Sequence, residues 1–294
     1  MRRGLILSVA ILLDAGLFVL NLLVARADGS RAVLSQAVFN IADLVGSGML
    51  AWGVLASRRP PDVDHPFGYG KERFFWAYTA SLVTFSLAGA AVLLEGISQA
   101  VAPHPLVDLR TAVAVLALTF GTSVGEVLLI LTELAADRHG VQDFLESSHQ
   151  GMKTIFYQDL VGSVGSAFAL GGIVAVDLTG NAALDGIGAA GVGLLMLLTG
   201  ILLASESRAL LVGKSLDRNV GRRIVALVER DPRVRTVRSL QSMLLGPEDA
   251  LLALRLNFED GLTTDDIERA IDDIGRALRR EHPELRHVII EPES

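Results

Sequence analysis

The chain reads as long apolar runs separated by short polar joints, followed by a stretch of alternating sequence. Six runs of about 20 or more mostly apolar residues occupy roughly the first 205 positions: about 4–25, 32–55, 74–100, 111–134, 154–176 and 183–204. Each is long enough to cross a bilayer as a helix, which takes about 20 apolar residues. The first run follows Arg2 and Arg3, is longer than the apolar core of a signal peptide, and ends at Ala25 without a small-residue cleavage site. It is therefore read as a retained first span. Beyond about Ala209 the pattern changes. Asp217 to Glu229 carries Val220, Ile224 and Leu227 at helical spacing. Val234 to Leu245 and Ala250 to Phe258 read as strands around Gly246-Pro247-Glu248-Asp249. Thr263, with Asp265 and Asp266 behind it, opens a helix to about Arg280, and Leu285 to Ile290 is a last strand. The order α-β-β-α-β predicts a small open sheet with helices on one face. The expectation is an α-helical membrane protein with six transmembrane helices over residues 1–208 and a cytosolic α+β domain over 209–294.

Basic residues orient the spans. Arg2, Arg3, Arg58, Arg59, Lys71, Arg73, Arg138 and Lys153 fall on one side with the C-terminal segment. Arg26, Arg31 and Arg110 fall on the other. This predicts a multi-pass protein of the cell membrane with both termini cytoplasmic. Small residues crowd the spans (Gly46 and Gly48, Gly162 and Gly165, Gly186 to Gly193) and predict close helix packing in the lipid bilayer.

Composition narrows the function. The net charge of −7, with no basic run, speaks against a nucleic-acid partner. The chain has 0 cysteines, which removes disulfides and thiolate metal ligands. It contains no nucleophile elbow, Walker loop or dinucleotide fingerprint, so neither an enzyme nor an ATP-driven pump is expected, and no cofactor. What stands out is charge in the wrong solvent. Asp14, Asp43, Glu126 and Asp159 lie well inside the apolar runs, where an acid costs about 2.5–3.5 kcal/mol on insertion scales. Such acids pair, line water or hold a cation; the alternative is a protonated acid bonded to a neighbouring helix. Asp14 and Asn21, two turns apart, share one face.

Several stretches together carry a family resemblance. They are Ser35-Gln36-Ala37-Val38-Phe39-Asn40-Ile41-Ala42-Asp43, the loop Asp64-His65-Pro66-Phe67-Gly68-Tyr69-Gly70-Lys71-Glu72-Arg73, Tyr157-Gln158-Asp159, Leu184-Asp185-Gly186, and Ala204 to Gly213. The chain resembles the cation diffusion facilitator family of zinc and manganese efflux transporters over nearly its whole length. The resemblance implies a homodimer, six spans per subunit, a ferredoxin-like cytosolic dimerisation domain, and exchange of a divalent cation for protons. The metal is then substrate rather than cofactor. It also implies a transport site of four ligands, two on span 2 and two on span 5, each pair four residues apart and so on one helix face.

This chain departs from that site. Asp43 and Asp159 match the second ligand of each pair, but Phe39 and Ile155 stand where the first is expected. Three readings stay open. Asp43 and Asp159 bind a hard cation such as Mn with oxygen donors from Asn40, Gln158, Gln36 or Ser163, with Asp14 as a third carboxylate. Or Zn is carried by the two carboxylates and water. Or transport is lost, and the protein is a dimeric membrane scaffold or metal sensor. Asp62 and His65 form a second candidate metal site in the loop, where some relatives have another His in place of Tyr69. His139 and His149 read as surface residues. The C-terminal metal positions of relatives match Leu244 and Ile289, with Glu291, His282 and His287 nearby, so no strong site is expected there.

Overall fold

The computed structural model describes residues 15–27, 29–104, 108–136, 150–247 and 249–293. The apolar runs are helices: α1 (Ala15–Ala27), α2 (Arg31–Ala56), α3 (Glu72–Ala80), α4 (Ala88–Val101), α5 (Leu109–Ala136), α6 (Gln150–Thr179) and α7 (Ala183–Val212). A π-helical segment, Ser81–Leu87, joins α3 to α4. In lipid only structures that satisfy their own backbone survive, and a helix does so within one segment. Among the described residues four helices are long and apolar enough to cross a membrane: Arg31–Ala56, Glu72–Val101, Leu160–Thr179 and Ala183–Val212. In the other two runs, Ala15–Ala27 and the Leu109–Gly125 part of α5 are apolar helix.

The chain divides into two compact units. One comprises residues 1–52 and 76–206, the other 53–75 and 207–294. In the helical unit, Val33, Phe39, Phe85, Leu116, Ile173, Val192 and Met196 form the buried centre. Helices α4 and α7 pack closely. A Cβ on Gly96 would lie 2.3 Å from the Ala190 nitrogen, and one on Gly193 2.3 Å from the Leu93 nitrogen. The two backbones therefore touch, which only the smallest residues allow. Gly186 and Gly193 of α7 at this seam, and Gly200 against Ser86 of the π segment, recur every seven residues, the spacing that keeps one stripe on a partner helix.

The second unit contains α8 (Arg218–Val228), β1 (Val234–Gly246), β2 (Asp249–Phe258), α9 (Thr264–Glu281) and β3 (His287–Pro292). The sheet order is β1-β2-β3, with β1 antiparallel and β3 parallel to β2. Alternate residues of β2, from Ala250 through Leu252 and Leu254 to Leu256, are fully buried. They meet Ile224 and Val228 of α8 and Ile274 and Leu278 of α9, as the period of a half-covered strand requires. Thr263 and Asp266 close a capping box at the start of α9, and Arg279 and Arg280 complement its last turn. The α-β-β-α-β order is the expected one.

The loop after α2 packs within this second unit. A Cβ on Gly70 would lie 2.4 Å from the Leu245 carbonyl oxygen. Phe67 sets its edge on the His287 ring at 5.1 Å. Lys71 Nζ reaches the Leu211 carbonyl at 3.5 Å.

Candidate functional site

The helical spacing of α2 brings Gln36, Asn40 and Asp43 to one face. Gln36 and Asn40 are 1% and 6% exposed, while Asp43 is half-buried. Buried carboxamides need partners, and these two are short of them. Gln36 Nε2 and Asn40 Nδ2 lack a hydrogen-bond partner among the described residues. Ser166 of α6 has its Oγ 2.8 Å from the Gly162 carbonyl and 3.2 Å from Gln36 Oε1. One hydroxyl proton serves one acceptor, and the ends of a carboxamide exchange places by a half-turn. With the Ser166 proton on Gly162, that half-turn lets Gln36 donate to Ser166 and puts its carbonyl oxygen where the unpartnered Nε2 stands. With a like half-turn at Asn40, the face can offer a carboxylate and amide oxygens, the donor set of a hard cation.

Gln158 and Asp159 lie early in α6, and their side chains are outside the described residues, as are those of Ile155 and Glu126. Asp14, His139 and His149 also fall outside. Asn21, two turns on from Asp14, is buried and donates from Nδ2 to the Leu17 carbonyl at 2.8 Å and to Thr119 Oγ1 at 3.1 Å.

Phe39 does what its chemistry dictates. It is 7% exposed, lies edge-on to Phe85 of the π segment with ring centroids 6.2 Å apart, and rests against Gly162 of α6. The position where a first ligand is expected is filled by an aromatic wedge between helices.

One buried acid was legible only as part of a motif. Asp185, in the first turn of α7, is fully buried. It accepts from Ser30 Oγ at 2.7 Å, the Arg31 N–H at 2.7 Å and the Ala32 N–H at 3.1 Å. Ser30 Oγ in turn accepts from the Val33 N–H at 3.2 Å. The N–H groups of Arg31, Ala32 and Val33, the first three residues of α2, are therefore all occupied. The sequence signal was an acid opening one span and a serine preceding another. Beside it, Arg31 pairs with Glu95 of α4 at 2.8 Å.

In the loop, Asp62 and His65 do come together. Asp62 Oδ1 accepts the His65 N–H at 2.7 Å and lies 3.5 Å from His65 Nδ1, while Tyr69 donates its hydroxyl to Asp62 Oδ2 at 2.7 Å. The Tyr69 hydroxyl, followed by the His65 N–H, holds the Asp62 carboxyl below its usual range. The same bond pushes the Tyr69 phenol up. Tyr69 thus occupies one carboxylate oxygen and stacks beside the imidazole, with ring centroids 4.2 Å apart. In the C-terminal domain, His282 lies 3.3 Å from Glu284 and His287 3.8 Å from Asp249. Ile289 is 53% exposed. Among the described residues no three of His, Asp and Glu gather as a metal centre.

Comparison with known proteins decides the family. The cation efflux transmembrane domain matches residues 7–212. The chain belongs to the cation diffusion facilitator family. Family relatives include metal tolerance protein C4 of Arabidopsis thaliana, 26% identical over 78% of this chain and 51% of that protein. The mitochondrial proton-coupled zinc antiporter SLC30A9 of Xenopus laevis is 22% identical over 98% of this chain and 59% of that protein. The cation-efflux pump FieF of Pectobacterium atrosepticum is 24% identical over 91% of this chain and 85% of that protein. The chain spans about half the length of the first two of these relatives. The family members named are transporters and not enzymes, and the chain shares with them a multi-pass helical membrane architecture.

Proposed function

We propose that the protein exports a divalent metal cation from the cytoplasm in exchange for protons. The observation that carries this is the buried face of α2, where Asp43 stands in line with two carboxamides whose hydrogen bonding is incomplete. Asp43 and Asp159 form the core of the ion site. Asn40, Gln158 and Asp14 supply further oxygens around a hard cation such as Mn, and Zn carried by two carboxylates and water is the close variant. Exchange follows from the ligands: a carboxylate that takes up a proton loses most of its hold on a cation. The relatives described as a proton-coupled zinc antiporter and a cation-efflux pump support the reading. In it, the subunit has six spans with both termini cytoplasmic, residues 209–294 form a ferredoxin-like dimerisation domain, and the protein is a homodimer of the cell membrane. Asp62 and His65 form at most a loop site.

A second reading rests on Phe39. A hydrophobic wedge at a ligand position suits a protein that has given up transport and serves as a dimeric membrane scaffold or metal sensor. Proteoliposomes loaded with a pH dye and offered Mn, Zn and other divalent ions one at a time decide between the two. Transport predicts metal entry with counterflow of protons, lost in Asp43→Ala and in Asp159→Ala. No proton-coupled flux for any metal, with intact dimers, establishes the scaffold.

A further inference from the structure

Asp185 is a buried charge that the proposed ion site does not use. It makes a poor cation ligand where it stands, because three donors already point at it, two of them from a helix N-terminus whose partial charge is positive. What it does is join two helices. Its own backbone is fixed: Gly186, the next residue, packs so closely on α4 that a Cβ there would lie 2.4 Å from the Ala100 nitrogen. The first turn of α7 therefore belongs to the α4–α7 seam. From this base the Asp185 carboxylate receives Ser30, Arg31 and Ala32, three successive residues of the α2 start. Three successive donors fix both the height of a helix along its axis and its rotation, since each residue advances about 1.5 Å and 100°. Asp43 lies thirteen residues beyond Ser30 on this helix, about 20 Å along the axis, and a stiff helix carries an error at its start to that point. The α6 contact lies on the way, where Gln36 meets Ser166.

We propose that Asp185 is a positioning residue for cation transport, setting the depth and rotation of α2 so that its Asp43–Asn40–Gln36 face meets α6. The role in transport rests on the cation-site reading of Asp43; the helix placement does not. Arg31–Glu95, a half-exposed pair, adds a lesser tie to α4.

The test exploits a chain with 0 cysteines. Gln36→Cys and Ser166→Cys place one thiol on each helix, and a methylene-bridged bis-methanethiosulfonate links them when α2 is in register. Protection from a maleimide–polyethylene glycol gel shift reads the yield without any transport. In the paired-cysteine protein, Asp185→Ala is expected to cut the yield by half or more. In the otherwise unaltered protein it is expected to raise the metal KM by on the order of tenfold to a hundredfold, with a smaller loss of maximal rate. Should Asp185→Ala not accumulate, the isosteric Asp185→Asn is read in the same way, since its amide N–H opposes the Arg31 N–H. Ser30→Ala, which leaves two backbone donors, is expected to fall between. An unchanged cross-linking yield overturns the proposal, and so does an unchanged KM in a protein whose yield has fallen. Efficient cross-linking in the paired-cysteine protein, with no cation carried by the otherwise unaltered protein, sinks the transport reading alone.

Discussion

The ring of Phe39 lies on Gly162: a Cβ at that glycine would come 3.1 Å from Phe39 Cε1 and 3.3 Å from Cζ. The aromatic at the vacant ligand position is matched by the absence of a side chain on the facing helix. A branched residue there overpacks the joint. Gly162→Val is expected to destabilise the protein by about 1–3 kcal/mol, read as a lowered melting temperature in detergent, and Phe39→Ala in the same chain is expected to recover part of the loss.

On the cation-site reading, Phe39 also governs which metal is accepted. Phe39→His supplies an imidazole one turn before Asp43, the donor that zinc prefers and a hard cation does not need. Zinc binding measured by calorimetry is expected to tighten at least tenfold, about 1.4 kcal/mol, with little change for Mn. Unchanged zinc affinity places the ion elsewhere than beside Phe39.

The α4–α7 seam predicts a sharp contrast between glycines. Gly193→Ala drives a methyl into the Leu93 backbone and is expected to lower stability by about 1–3 kcal/mol. Gly121 of α5 has nothing within 4 Å of its would-be Cβ. Gly121→Ala is expected to be neutral or to gain up to about 1 kcal/mol from helix propensity. Thermal melts of the two variants side by side check this.

In the C-terminal domain, Arg233 binds Asp231 at 2.7 Å and Asp273 of α9 at 2.9 Å. Its guanidinium holds both carboxyls below their usual range. A depressed acid contributes stability above its unfolded value, about 3.9, and loses it as pH falls through the folded value. Arg233→Ala is therefore expected to speed amide exchange in α9 at neutral pH. The difference from the parent should shrink below about pH 4 and vanish once both carboxyls are protonated. A difference that grows on acidification contradicts the assignment.

The C-terminal fold was legible because period-two and period-3.6 patterns and caps are local: Leu252, Leu254 and Leu256 announce a strand, and Thr263 with Asp266 announces a helix start. The apolar runs were legible for the same reason, since length and hydropathy are properties of one segment. Asp43 stood out by its cost in lipid. What the sequence could not show were relations between distant residues. Nothing near Asp185 says that its partners are Ser30 to Ala32, some 155 positions away. Nothing near Gly70 says that the loop lies on Leu245. Tyr69 was visible as a missing ligand, but not as the donor that engages Asp62.

The seam between α4 and α7 has a genetic consequence. Any single-nucleotide change in a glycine codon that alters the residue either adds a Cβ or stops the chain. At Gly96, Gly186 and Gly193, where the facing atoms are backbone, no one-step replacement is harmless, and a larger side chain on one helix has nothing opposite that a second mutation could trim. Replacement at these codons is therefore expected to cost stability whichever base changes, while Gly121 on the exposed face of α5 is expected to accept a side chain.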